Sequence, residues 1–131
     1  MSHRSPLIPV LAAALLGATV PAAAHHSFAA IFDAAKPVKI TGTVTRMEWM
    51  NPHTWIYIDA KAADGKAEQW AFELGSPNRL MRYGWNQDSL PAGTTVTITG
   101  SRARDGSLKA AADKVTLPDG KQLFGAQETT Q

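Results

Sequence analysis

The sequence predicts a small all-β protein, a five-stranded OB-like Greek-key barrel with one short helix between strands 3 and 4. Three observations favour it. Several segments alternate apolar and polar residues with the period of a strand, turn-forming residues separate them, and helix signals follow the third segment. A small open β-sandwich is the competing topology.

The first three predicted strands form a meander. Strand 1 covers residues 40–49, strand 2 covers 54–59 and strand 3 covers 68–74. Asn51-Pro52 ends the first strand because proline lacks a ladder donor, and Asp64-Gly65 is a strong hairpin turn. Simple alternation in strand 1 predicts that Ile40, Gly42 and Val44 share one face, and that Thr41, Thr43, Thr45, Met47 and Trp49 share the other.

The second half of the domain begins with a helix of about two turns. Ser76 is its predicted N-cap, Pro77 its first residue and Gly84 its C-terminal stop. Leu80 and either Tyr83 or Trp85 are expected to face the core. Further strands are predicted over residues 94–100, 109–117 and, as a short return, 121–124.

The first 24 residues have the three parts of a secretory signal peptide. A basic start at Arg4 precedes the apolar run 7–20 and the small residues of 21–24. We therefore expect a periplasmic protein with no stable membrane span after cleavage, since the run is too short for a comfortable span. The predicted organisation is a signal peptide (1–24), an arm or short helix (25–38), an OB-like barrel (39–125) and a flexible tail (126–131).

Composition excludes several classes of protein. The absence of cysteine excludes disulfides, thiolate metal sites and a cysteine nucleophile. Cleavage after residue 24 would leave 107 residues and lower Lys+Arg from 13 to 12 against 11 Asp+Glu, a net charge of about +1. Without a Lys/Arg block, we expect no nucleic-acid binding. We expect a monomer whose partner is an envelope protein or a small ligand.

Catalysis is the weakest of the functional hypotheses. No P-loop, dinucleotide fingerprint or Ser-His-Asp order is present. No recognisable catalytic motif flanks any of the carboxylates that could form a catalytic pair, which are Asp33, Glu48, Asp59 and Glu73. The expectation is a non-catalytic binding protein, with a copper-dependent oxidase left open.

A copper site is the first binding hypothesis. Cleavage after residue 24 would make His25 the first residue, and its α-amine and imidazole would chelate a metal together with His53 in the predicted corner. Nitrogen ligands in a plane suit Cu(II). This arrangement resembles the histidine brace of copper-dependent polysaccharide oxidases and some periplasmic copper carriers. His26 and Glu48 are further candidate ligands. The alternative is that His53 is a turn residue whose imidazole bonds a neighbouring carbonyl.

A metal-free binding module is the second hypothesis. OB barrels bind extended polymers on the face of strands 2 and 3. Candidate ligand-binding residues are Asn51, Trp55, Tyr57 and Trp70. The binding face could carry Trp55, Tyr57 and Gln69, or alternatively Trp70 and Phe72, and would suit a glycan, a peptide or a protein. The alternative is that tryptophans fill the core of so small a domain. A set of four arginines is a candidate anion-facing patch, or else a solvated surface: Arg79, Arg82, Arg102 and Arg104.

Several motifs together resemble a family of small exported proteobacterial proteins of unknown function. They are His25-His26-Ser27-Phe28, Asn51-Pro52-His53-Thr54-Trp55, Trp70-Ala71-Phe72-Glu73 followed by Gly75-Ser76-Pro77-Asn78, and Gly84-Trp85. The resemblance extends over essentially the whole of the predicted mature chain. It implies a soluble periplasmic single domain and brings no activity with it.

Overall fold

The computed structural model describes residues 28–127, which form six strands and two short helices. In chain order these are α1 (Phe28–Ile31), β1 (Phe32–Glu48), β2 (Trp55–Lys61), β3 (Ala67–Glu73), α2 (Pro77–Met81), β4 (Thr95–Ala103), β5 (Lys109–Thr116) and β6 (Gln122–Phe124). Within this part of the chain, no helix has the length and apolar character needed to cross a membrane. The predicted signal peptide and most of the predicted tail lie outside the described residues.

The strands form one sheet whose hydrogen bonds close a ring. Its order is β3-β2-β1-β4-β5-β6, and all neighbours in that order are antiparallel. A parallel pairing of β3 with β5 connects the ring through five strands, while β6 pairs only with β5. The predicted all-β class, the meander of the first three strands and the helix between strands 3 and 4 are therefore present.

The interior of the ring holds the main hydrophobic core. Alternate residues of each strand point inward, and the fully buried side chains include Ile56, Ile58, Phe72 and Ile98. Trp70 stacks on Phe72 with ring centroids 5.9 Å apart. Burial of these apolar side chains is the main source of stability in a chain without cysteine.

β1 differs from the predicted first strand in length and in register. It begins at Phe32, inside the segment predicted as an arm, and pairs with both β2 and β4. Its register with β2 shifts between Val44 and Arg46, which leaves Thr45 as the extra residue of a β-bulge. The bulge reverses the alternation, so that Met47 and Trp49 pack on the same core as Val44. Their predicted place on the opposite face is wrong for this reason.

The two helices close different parts of the sheet. α1 packs Phe28 on Phe32, with centroids 5.5 Å apart, in a small second cluster that also contains Ala103 and Ala111. α2 follows β3 with Ser76 at the N-cap position and Pro77 as its first residue, as predicted, but it has only five residues. Leu80 is buried, as expected, and of the two aromatic residues that follow the helix Trp85 is the one that is buried, whereas Tyr83 is half exposed.

Candidate functional site

His53 ends the connection between β1 and β2, beside the end of β3. The next residue, Thr54, is fully buried and extends the pairing of these strands: its amide donates to the Gly75 carbonyl at 3.1 Å, and its carbonyl accepts from Leu74 N–H at 2.8 Å. These hydrogen bonds hold the backbone that follows His53, and the Asn51–Pro52 peptide before it is cis. The His53 side chain remains 35% exposed.

The imidazole of His53 is oriented by two oxygens. Nδ1 lies 3.2 Å from the Leu74 carbonyl oxygen and 3.4 Å from Oε1 of Glu73. A carbonyl oxygen can only accept a hydrogen bond, so Nδ1 carries the proton of this contact. In the neutral ring the lone pair then resides on Nε2, which is the ring atom available to a ligand.

Glu73 is the buried partner in this pair. Its side chain is only 12% exposed, and burial raises the pKa of this carboxyl above its usual 4.5, while the positive charge of a protonated His53 would lower it. Its backbone carbonyl accepts a hydrogen bond from the Gln127 amide, so the chain after β6 covers the end of β3. The structure thus joins His53 to a carboxylate that sequence reasoning had considered only as part of a catalytic pair.

Glu48, a candidate metal ligand, has other partners. Its carboxylate accepts a hydrogen bond from Arg46 Nε at 3.1 Å and another from the Tyr57 hydroxyl at 3.1 Å. The Arg46 guanidinium lies over the Tyr57 ring, 3.6 Å from its centroid. Burial raises the pKa of Tyr57, and the hydrogen bond to Glu48 adds to the increase. These three side chains form a surface network that does not include His53.

The predicted aromatic platform is divided between the two faces of the sheet. Trp70 is 3% exposed and belongs to the core, so its ring is not available as a surface platform. Trp55 and Tyr57 lie on the outer face of β2, both half-buried, and Arg46 covers the Tyr57 ring. Asn51 is exposed in the turn before His53.

His25 and His26 lie outside the described residues. Among residues 28–127, no group of three or more His, Asp or Glu side chains is arranged to hold a metal ion. Within that range, a site at His53 therefore offers one imidazole and the neighbouring Glu73 carboxylate.

The four arginines do not form one patch. Arg104 pairs with Asp33 at 3.5 Å and donates to the Ala29 carbonyl at 2.7 Å, which holds α1 against the sheet. Arg102 donates to the Gly106 carbonyl and lies 5.4 Å from the centre of the Trp70 ring. Arg79 and Arg82 lie apart from these two, in a groove beside α2.

Comparison with known proteins identifies a family. A model described as a family of unknown function, DUF6152, matches residues 13–112, which include both the His53 corner and Glu73. The chain belongs to the DUF6152 family. No curated protein matches it. Membership in DUF6152 agrees with the expected family of unknown function and assigns no activity, so the function must be argued from the site itself.

Proposed function

We propose that this DUF6152 chain is a non-catalytic copper-binding protein of the periplasm, in which His53 supplies one ligand through Nε2. The observation that carries the proposal is the contact of His53 Nδ1 with the Leu74 carbonyl oxygen. Histidines that bind metals usually donate their second ring N–H to a carbonyl or carboxylate, which fixes the tautomer and the orientation of the ring. Leu74 and Glu73 supply both kinds of acceptor to the same nitrogen.

The position of α1 supports the participation of His25. On β5, Ala110 and Ala112 belong to the main core, whereas Ala111 belongs to the second cluster, on which Phe28 packs. Ala111 therefore faces away from the main core. Its parallel partner on β3 is Glu73, and neighbouring strands lie about 4.8 Å apart.

A shared site requires the short segment between His25 and Phe28 to extend from the second cluster toward His53. Only three peptide units separate His25 from Phe28, and a fully extended chain covers about 3.5 Å per residue, or roughly 10 Å in all. Phe28 packs on the second cluster, Ala111 of that cluster pairs with Glu73, and Glu73 contacts His53. After cleavage behind residue 24, the α-amine and imidazole of His25 would complete a set of three nitrogens with His53, a donor set that suits Cu(II). His26 is the alternative second imidazole.

The ring of five strands is consistent with an OB-like barrel. The connection between β1 and β2, which contains His53, is one of the two loops that OB folds use for binding. We therefore propose this end of the sheet as the binding end of the domain, with Glu73 as the carboxylate that orients His53. Glu48 is omitted from the proposed ligands because Arg46 and Tyr57 occupy its carboxylate.

The test begins with the exported protein. Mass spectrometry fixes its first residue, and a terminus other than His25 removes the chelate from the proposal. Cu(II) added to protein that begins at His25 is expected to give an electron spin resonance spectrum with nitrogen hyperfine structure. His53→Ala should lose the contribution of one nitrogen, and an unchanged spectrum would refute the role of His53.

Two carboxylate variants provide a matched comparison. Glu73→Gln removes the carboxylate beside Nδ1 and is expected to weaken Cu(II) binding about 10- to 100-fold, the usual effect of losing such a support. Glu48→Gln makes the same chemical change in a network that does not contact His53 and should leave the affinity unchanged. Equal effects of both substitutions would mean that the copper site lies elsewhere.

A further inference from the structure

A groove beside α2 contains two arginines with no acidic partner among residues 28–127. Arg79 and Arg82 occupy positions i and i+3, which lie on the same side of a helical turn. The ion pairs of the described chain involve Arg46, His53, Lys66 and Arg104 as the cations, and neither groove arginine is among them. Both arginines line the groove, so an anion bound there would be attracted by two positive charges.

Neutral hydrogen-bonding groups complete the groove. Its volume is about 680 Å³, and its lining consists of Ser76, Asn78, Arg79, Arg82 and Tyr83. Every one of these side chains can donate a hydrogen bond. The Ser76 hydroxyl stands at the N-cap position but does not cap α2, so it is free to serve the groove. No carboxylate contributes to the lining, so the only charged side chains in it are the two guanidiniums.

The buried side of α2 anchors the groove to the core. Pro77 and Leu80 are buried on the opposite side of α2, and the amide of Trp85 donates to the Leu80 carbonyl at 3.2 Å. The Trp85 indole is itself buried and donates to the Phe124 carbonyl at 2.8 Å, which ties the turn after α2 to β6. The groove thus lies on a short element that the core anchors, rather than on a loose loop.

We infer that this groove binds a phosphate group. A phosphate monoester carries close to two negative charges at neutral pH and several acceptor oxygens, which match two guanidiniums and three neutral donors. Guanidinium forks bind phosphate oxygens in pairs, whereas a carboxylate would neutralise only one of the two charges. The phosphate group belongs either to a soluble molecule or to the headgroup of an anionic phospholipid.

The experiment separates these two sources. In the ¹⁵N-labelled protein, inorganic phosphate at constant ionic strength is expected to shift the amide resonances of residues 76–83, while chloride is not. Vesicles of phosphatidic acid, whose phosphate is a monoester, in phosphatidylcholine should bind the protein if the headgroup is the ligand, and pure phosphatidylcholine should not. A response to phosphate alone identifies the soluble source, and a response to the anionic vesicles identifies the lipid source.

Variants then assign the response to the groove. The double variant Arg79→Gln, Arg82→Gln should weaken phosphate or vesicle binding about tenfold or more, because each guanidinium provides charge-assisted hydrogen bonds. Arg46→Gln removes the same charge outside the groove and should bind like the unaltered protein. Arg82→Lys keeps the charge but loses the fork and should bind with intermediate affinity. The inference is overturned if neither probe elicits a response, or if the double variant binds as well as Arg46→Gln.

Discussion

Phe72→Ala tests the assignment of the inner face of β3. Phe72 is completely buried at the centre of the ring and stacks on Trp70. Removing a buried phenylalanine side chain costs its transfer energy and leaves a cavity, about 3–5 kcal/mol in total. For a domain of this size each kcal/mol lowers Tm by roughly 4–8 °C, so we expect Tm to fall by at least about 12 °C.

Phe124→Ala is the matched control for this substitution. The same atoms are removed from a ring that is 56% exposed on β6, so the expected loss is about 1 kcal/mol or less. Urea unfolding followed by tryptophan fluorescence gives both values, and similar m-values would show that the two variants unfold to similar states. Equal losses for the two variants, or a loss below about 1 kcal/mol for Phe72→Ala, would refute the inward orientation of alternate β3 residues.

Three further predictions concern single sites. Burial raises the pKa of Glu73 above its usual 4.5, so there is a range of pH in which the folded state keeps a proton that the unfolded state releases. The contribution of this carboxyl to the free energy of unfolding therefore declines as pH rises through that range. Glu73→Gln should therefore gain stability relative to the unaltered protein between about pH 4 and about pH 7, measured by urea unfolding; a constant difference would contradict the effect of burial. Gly100→Ala should destabilise by at least about 1 kcal/mol, since its Cβ would lie 2.0 Å from the Ala111 carbonyl oxygen; thermal melting checks this, and an unchanged Tm would mean that β4 and β5 separate at little cost. Trp85→Phe removes the indole donor to the Phe124 carbonyl and should cost about 1 kcal/mol or more, with faster amide hydrogen exchange in β6. Unchanged exchange would show that this bond does not hold β6.

Local patterns were sufficient to predict most of the elements. The alternation of Trp70, Phe72 and Leu74 placed these residues on one face of the third strand, because strand residues two apart share a face, and their burial shows that this face is the inner one. Ser76-Pro77 marked the start of α2, since the fixed φ of proline suits the first helical turn. Asp64-Gly65 marked the β2–β3 turn, where Gly65 has a φ of +83° that other residues rarely adopt.

The register of β1 could not be predicted from alternation alone. A bulge adds one residue without any distinctive residue type, and Thr45 is an ordinary strand former. The consequence for the surface is large, because a shift of one residue exchanges the two faces of a strand. Glu48, Arg46 and Tyr57 come together on the outer face only because of this shift, so the partners of Glu48 were hidden from the sequence.

The proximity of His53 to Glu73 could in part be predicted from the sequence. A hairpin that turns at Asp64-Gly65 necessarily brings the residues just before β2 beside the residues at the end of β3, and Trp55 indeed pairs with Glu73. What the hairpin does not specify is the burial of the Glu73 carboxyl, which depends on the parallel strand β5 and on the segment after β6. Glu73 is far in sequence from both of these segments, so its contacts with them form only in the folded ring. The same long-range pairing sets Ala111, a member of the second cluster, next to Glu73. The proposed copper site, which brings the amino-terminal histidines to His53, thus depends on the closed ring, and variants that open the β3–β5 pairing should lose Cu(II) affinity even though they retain all the proposed ligands.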